Sequence, residues 1–166
     1  MRSRRGCSGA WLAVLAAAAD RLTKVLAQAH WAARSPLLSR DFDALIPGLL
    51  NLRMRRNTGV AFSQLSDRGA LPGVLAAVLI AALLGVLFAR VDMPRLRRAG
   101  LWLIVGGGLG NLFDRLRYGY VIDFLDLAFV RFAVFNVADV CVCAGAALVV
   151  AQMLLSEGKR RRGDGA

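Results

Sequence analysis

The chain has 166 residues, enough for one domain, with 57% of them apolar and a formal net charge of +11. That pairing excludes most soluble classes: a nucleic-acid binder would be as basic but less apolar, with its charge spread along one face. Here the basic residues stand in blocks between apolar runs, which is the pattern of a polytopic membrane protein.

Four apolar runs follow in chain order, predicting a single integral membrane domain over residues 1–166 with spans at about 8–28, 69–90, 98–116 and 135–156. A helical span needs about 20 apolar residues to cross about 30 Å of hydrocarbon. Residues 69–89 meet that as they stand. The uncharged runs 6–19, 99–113 and 140–156 fall short at about 1.5 Å per residue, so they span only if their flanks also lie at membrane depth. Arg2, Arg4 and Arg5, the group Arg90, Arg95, Arg97 and Arg98, and the tail from Lys159 to Arg162 all fall inside if both termini are cytoplasmic. With that orientation the missing length comes from residues 20–24, 111–115 and 136–139. All three polar clusters then sit at one depth near the outer leaflet. Ionisable groups there are costly and face a bundle interior or a watery cavity.

The first outer segment covers about 30–68. Leu50, Leu52 and Met54 alternate with Asn51, Arg53 and Arg55, the period of a half-buried strand. Asn57-Thr58-Gly59 predicts a turn, and Val60-Ala61-Phe62 a second strand, together a small extracytoplasmic β-sheet. The second outer segment covers about 117–134. There Leu125, Phe129 and Phe132 share one helical face, which predicts a short interfacial helix over 124–132. The expected fold is thus mainly α: four transmembrane helices, a small sheet and a short helix lying on the surface. Gly106, Gly107, Gly108 and Gly110 fit close helix packing and lack the spacing of a dinucleotide fingerprint.

The polar residues narrow the chemistry. The lone His30 lies far from any nucleophile, so serine or cysteine catalysis lacks a base. Cys141 and Cys143, two residues apart on a helix, point about 200° apart, and no second histidine exists to complete a metal site. Neither a metal nor a cofactor is expected. Carboxylates remain: Asp123 follows the third span and Asp139 opens the fourth, so the link between them can bring the two together. A proton shared between two carboxylates makes an acid–base pair able to hydrolyse an amide without a covalent intermediate. Asn57, Asn111 and Asn136 supply neutral donors and acceptors, and Arg115 is placed to hold an acidic partner. A small proton- or ion-coupled transporter using intramembrane aspartates is the alternative, and an anchoring protein a third reading. A transporter would scatter polar residues across the membrane's depth, whereas these gather near one face.

Read in order, the clusters resemble those of the bacterial lipoprotein signal peptidases, or signal peptidase II. Asp20-Arg21-Leu22-Thr23-Lys24 looks like the first motif and Asn57-Thr58-Gly59-Val60-Ala61-Phe62-Ser63 like the second. Gly110-Asn111-Leu112-Phe113-Asp114-Arg115, with Gly119, Val121, Asp123 and Phe124, looks like the third, and Phe135-Asn136-Val137-Ala138-Asp139 like the fourth. The resemblance implies a bacterial inner-membrane aspartyl endopeptidase that cuts diacylglyceryl-modified prolipoproteins just before the lipidated cysteine. It implies Asp123 and Asp139 as the catalytic pair. Asn57, Gly59, Asn111, Asp114, Arg115, Asn136, Asp20 and Lys24 would support the pair and the substrate. Prolipoproteins and membrane lipids are the expected partners, with no nucleic acid, and a monomer is expected. The basic start, short apolar stretch and alanines at 16–19 look like a cleavable secretory signal, but a supporting role for Asp20 and Lys24 implies that this segment is retained. Arg21, where the family often has glutamine, departs from the pattern and is expected to affect only local packing.

Overall fold

The computed structural model describes residues 8–33, 41–59, 71–89 and 92–163. Among these are four helices, α1 (Ala10–Ala32), α2 (Leu71–Phe88), α3 (Arg95–Tyr118) and α4 (Val137–Gly163). Three strands, β1 (Asp43–Ile46), β2 (Leu50–Asn57) and β3 (Val121–Leu127), form one antiparallel sheet in the order β1-β2-β3.

Helix α1 is apolar outside and partly polar inside. On α1 the buried stripe is Ala13, Ala16, Asp20, Lys24 and Ala27, spaced three and four residues apart. Its exposed positions include Trp11, Leu15, Leu22 and Leu26. That inversion is unfavourable in water and natural where the surrounding solvent is hydrocarbon. By length and hydropathy, α2 and the stretch Val137–Glu157 of α4 are sufficient to cross a membrane. The helices α1 and α3 carry the polar clusters within their length instead.

Helix α3 is the hub, and its glycines explain how three helices approach it. A Cβ on Gly106 would lie 2.6 Å from the carbonyl oxygen of Ala13 on α1, and one on Gly108 would lie 3.1 Å from Ile80 on α2. A Cβ on Gly107 would collide with the carbonyl of Ala138 on α4. Only glycine permits the approaches at Gly106 and Gly107, which are to backbone, while at Gly108 the Ile80 side chain would have to give by a few tenths of an ångström. Below the polar cluster Ala13, Ile80, Leu87, Met93, Leu101, Trp102 and Val105 form one apolar core. Above it Ala27, Leu52 and Phe124 form a second, which fastens the sheet to the end of α1.

The sheet differs from expectation in two ways. Strand β2 lies where the alternation placed it, but its partners are β1, reached through a turn at Pro47-Gly48, and β3. The expected strand at 60–62 lies outside the described residues. The interfacial helix expected over 124–132 is absent: residues 121–127 are strand, and 128–134 have neither helix nor strand. Helical periodicity misled there because Val121, Ile122, Asp123 and Phe124 are consecutively buried, as in a strand covered on both faces. Phe129 and Phe132, two thirds of the supposed apolar face, are exposed. A bridge between Leu125 and Phe135 ties the far side of β3 to the chain entering α4.

Pairing of β2 with β3 contains a bulge. Leu52 faces Leu125 and Arg55 faces Asp123, so Arg53 and Met54 together oppose Phe124. The extra residue reverses the side-chain parity of β2. Leu52 and Asn57, an odd number apart, therefore share one face, diagonal to Asp123.

Candidate active site

The polar cluster begins on α1, where Asp20 and Lys24 lie one turn apart with no exposed surface. The ammonium of Lys24 donates to Asn111 Oδ1 at 3.0 Å and forms ion pairs with Asp20 Oδ2 at 2.8 Å and Asp114 Oδ2 at 2.7 Å. Asp20 fits there because Gly110 has no side chain: a Cβ at that position would lie 2.5 Å from Asp20 Oδ2. The other Asp20 oxygen accepts the backbone N–H of Ala138 at 3.0 Å, tying α1 to the first turn of α4.

Asp114 binds three ways. It pairs with Lys24, accepts the guanidinium of Arg21, and receives the backbone N–H of Ile122 at 3.1 Å. Arg21 in turn lies over the rings of Phe113 and Tyr118, 5.1 and 5.8 Å from their centroids. Gly119, at φ 79° with its N–H on the Arg115 carbonyl, ends α3 and turns the chain into β3. Asp114 thereby anchors the residue preceding Asp123.

The second pair of carboxylates is bound differently. Asp123 accepts Asn57 Nδ2 at 2.8 Å and Asn136 Nδ2 at 2.7 Å. Asp139 accepts Asn111 Nδ2 at 2.8 Å and the backbone N–H of Asn136 at 3.1 Å. Asn136 therefore touches both carboxylates. It also precedes α4 and accepts the N–H of Asp139 on its own Oδ1 at 3.0 Å, so the two residues cap the helix reciprocally.

The carboxamide orientations follow from their partners. A lysine can only donate, so Asn111 must turn Oδ1 to Lys24 and Nδ2 to Asp139. Gly59, at φ 79°, gives its N–H to Asn57 Oδ1 at 2.9 Å, which leaves Asn57 Nδ2 for Asp123.

Charge separates the two pairs. Asp20 and Asp114 are matched by Lys24 and Arg21. Among the described residues neither Asp123 nor Asp139 has an ion pair; each is held by neutral amides. Burial pushes the Asp123 carboxyl above the ordinary aspartate range, and the nearby charge of Asp139 pushes the same way; hydrogen bonds from Asn57 and Asn136 oppose them. Asp123 is 2% exposed, whereas Asp139 and Asn111 are half-buried and Asn57 is exposed. The arrangement offers one proton shared between a sheltered carboxyl and a more open one.

Nine of the ten candidate residues from the sequence meet in this cluster. Arg115 is the one that does not act as expected. Its guanidinium donates to the Asn111 carbonyl at 3.3 Å and, among the described residues, pairs with no carboxylate. Arg21 holds Asp114 instead, so its effect is not confined to local packing. Its signal was its place beside Asp20 in a chain where Asp114 needed a partner.

Comparison with known proteins bears on the chain as a whole. Residues 12–155 match the family model described as signal peptidase (SPase) II. A lipoprotein signal peptidase of Cronobacter sakazakii is 39% identical over 153 residues, covering 87% of each chain. One from Coxiella burnetii is 35% identical over 161 residues, covering 93% of this chain and 94% of its own. Two solved structures described as bacterial membrane enzymes superpose with TM-scores of 0.74 and 0.76 at 26% and 25% identity. They cover 89% and 92% of this chain and 92% and 90% of their own. A match along nearly the whole chain, together with a buried polar cluster assembled from all four motifs, places this protein in the signal peptidase II family.

Proposed function

We propose that this chain is a membrane-embedded aspartyl endopeptidase that removes the signal peptide from diacylglyceryl-modified prolipoproteins, with Asp123 and Asp139 as its catalytic pair. The observation that carries the reading is the difference in charge between the two carboxylate pairs. One is neutralised by cations and builds the fold. The other is held by neutral carboxamides and has no cation paired to it among the described residues, so the repulsion of its two charges is relieved by sharing a proton.

In this reading four helices span the membrane, both termini are cytoplasmic, and the pair lies near the outer face. A lipidated helical signal peptide enters sideways from the bilayer and presents its scissile bond at that depth. Asp139, more open and at the positive end of α4, is the ionised member. Asp123, sheltered and with its carboxyl pushed up, holds the proton. Asp139 takes a proton from water as the oxygen attacks the scissile carbonyl, and Asp123 protonates the carbonyl oxygen. Collapse of the tetrahedral intermediate then returns a proton to the leaving amine. The polar residues stop at the apolar core of Ala13, Ile80, Leu101 and Val105, which speaks against a conduit across the membrane.

The test is cleavage of a lipidated prolipoprotein in liposomes by wild type, Asp123→Asn and Asp139→Asn. Both variants should insert and fold while losing activity by about 10³ or more. Normal cutting by either folded variant would remove that residue from the pair.

A further inference from the structure

At the opposite end of the bundle from the polar cluster, a cavity of about 700 Å³ opens between the starts of α1 and α3. Its lining includes Ser8, Gly9, Trp11, Asp92, Arg95 and Arg98. Two helix N-termini meet there, and neither is capped by a side chain: α1 begins after Gly9 and α3 after Pro94. Their first N–H groups have no acceptor within the helix, and the dipoles add partial positive charge.

A second observation points to a ligand. Among the described residues the indole Nε1 of Trp102 has no hydrogen-bond partner, although Trp102 is only 4% exposed. Arg95, Arg98 and Trp102 lie three and four residues apart, one stripe along α3, so the indole lies one turn deeper than Arg98, behind the Gly9 wall of the cavity. Its Cδ1–Nε1 edge faces Gly9 in the cavity wall: a Cβ there would lie 3.0 Å from Cδ1 and 3.6 Å from Nε1. Arg98 is held by Ser8 Oγ at 2.7 Å and the Met93 carbonyl at 3.4 Å, which among the described residues uses two of its five N–H groups.

We propose that this cavity binds the phosphate of an anionic phospholipid headgroup, with Arg95, Arg98 and the start of α3 as donors and the Trp102 indole N–H one turn deeper. Charge and surroundings select a lipid over a free anion. Two arginines outweigh Asp92, the one acidic residue in the described lining. Trp11, 62% exposed at the rim, has the amphipathic character of a residue at headgroup level. The cavity lies about 11 residues before Asp20 along α1, roughly 16 Å, so it is separate from the carboxylate cluster.

The experiment is native mass spectrometry and thermal unfolding of the full chain in detergent, titrated with phosphatidylglycerol or phosphatidylcholine. Wild type should retain phosphatidylglycerol and melt higher with it than with phosphatidylcholine. Each basic group near a lipid surface contributes about a fivefold factor, so Arg95→Gln with Arg98→Gln should weaken retention about thirtyfold. Asp92→Asn should strengthen it. Trp102→Phe, which keeps the ring and removes the donor, should weaken it severalfold. Asp123→Asn should bind like wild type, which separates this site from the carboxylate pair. Equal retention by the double arginine variant, or equal binding of phosphatidylcholine, would overturn the proposal. Protection by inorganic phosphate as strong as by the lipid would assign the cavity to a free anion instead.

Discussion

Replacing Lys24 by methionine removes the ammonium while nearly preserving side-chain length. Its consequences can be followed atom by atom. Asp20 and Asp114, neither with any exposed surface, lose their shared cation at 2.8 and 2.7 Å. Asp114 keeps Arg21 and the Ile122 N–H, but Asp20 keeps only the Ala138 N–H. Removing one partner of a buried ion pair costs roughly 3–5 kcal/mol, because the remaining charge stays out of water. For a chain of this length that corresponds to a melting temperature lower by roughly 6–20 °C. Asn111 also loses one of the two donors to its Oδ1 and keeps only Asn136 Nδ2 at 3.0 Å, which loosens its hold on Asp139. Cleavage by the fraction still folded at low temperature should therefore fall at least tenfold. Thermal unfolding in detergent gives the first quantity, and initial rates on a lipidated substrate well below the transition give the second. Adding Asp20→Asn to Lys24→Met should recover part of the stability but not the activity. A single variant that melts within 2 °C of wild type would refute the assignment of Lys24 as the compensating charge.

Three other substitutions test neighbouring parts of the argument. Asp123 holds a proton in the folded state above the pH, near 3.8, at which an unperturbed aspartate loses it. Its contribution to stability is therefore complete below that pH and is lost as pH rises through the raised folded value. Relative to Asp123→Asn, the wild type should lose unfolding free energy between pH 4 and neutrality in chemical denaturation; a flat difference would contradict the shift. Gly107→Ala should push the start of α4 away from α3 through the Ala138 carbonyl, cost roughly 1–3 kcal/mol and abolish cleavage through the displaced Asp139; wild-type activity would show that the helices tolerate the methyl group. Arg21→Gln should cost only about 1 kcal/mol by thermal unfolding, since Asp114 retains Lys24 and the Ile122 N–H, and a loss as large as that of Lys24→Met would mean that the two cations do not act unequally.

How far the sequence revealed this arrangement depended on whether the determining force was local. Asp20, Asn111, Asp114, Asn136 and Asp139 were legible because a charge or amide at the end of a short apolar run has few places to go. The close packing at Gly106 and Gly107 was legible for a similar reason, since nothing else explains so many glycines within a helix. The 124–132 segment was not legible, because Leu125, Phe129 and Phe132 fit a helical face by coincidence while the pairing of β3 with β2 decided the outcome. Arg21 was underestimated because its partner lies 93 residues away. The orientations of Asn57 and Asn111 could not be read from residue identity, since each depends on which neighbour can only donate.

The bulge opposite Phe124 marks a stretch where β2 can change its length without changing the face it turns to Asp123. Deleting either Arg53 or Met54 would remove the bulge but leave Leu52 opposite Leu125 and Asn57 opposite Val121, still on the face of Asp123. A residue added between Arg55 and Asn57 would instead turn Asn57 to the other face. Point substitutions at those two positions alter only their own contacts. Relatives that keep this ladder can therefore differ by one residue between Leu52 and Arg55, whereas a residue gained or lost between Arg55 and Asn57 would mark a protein that has lost its hold on Asp123.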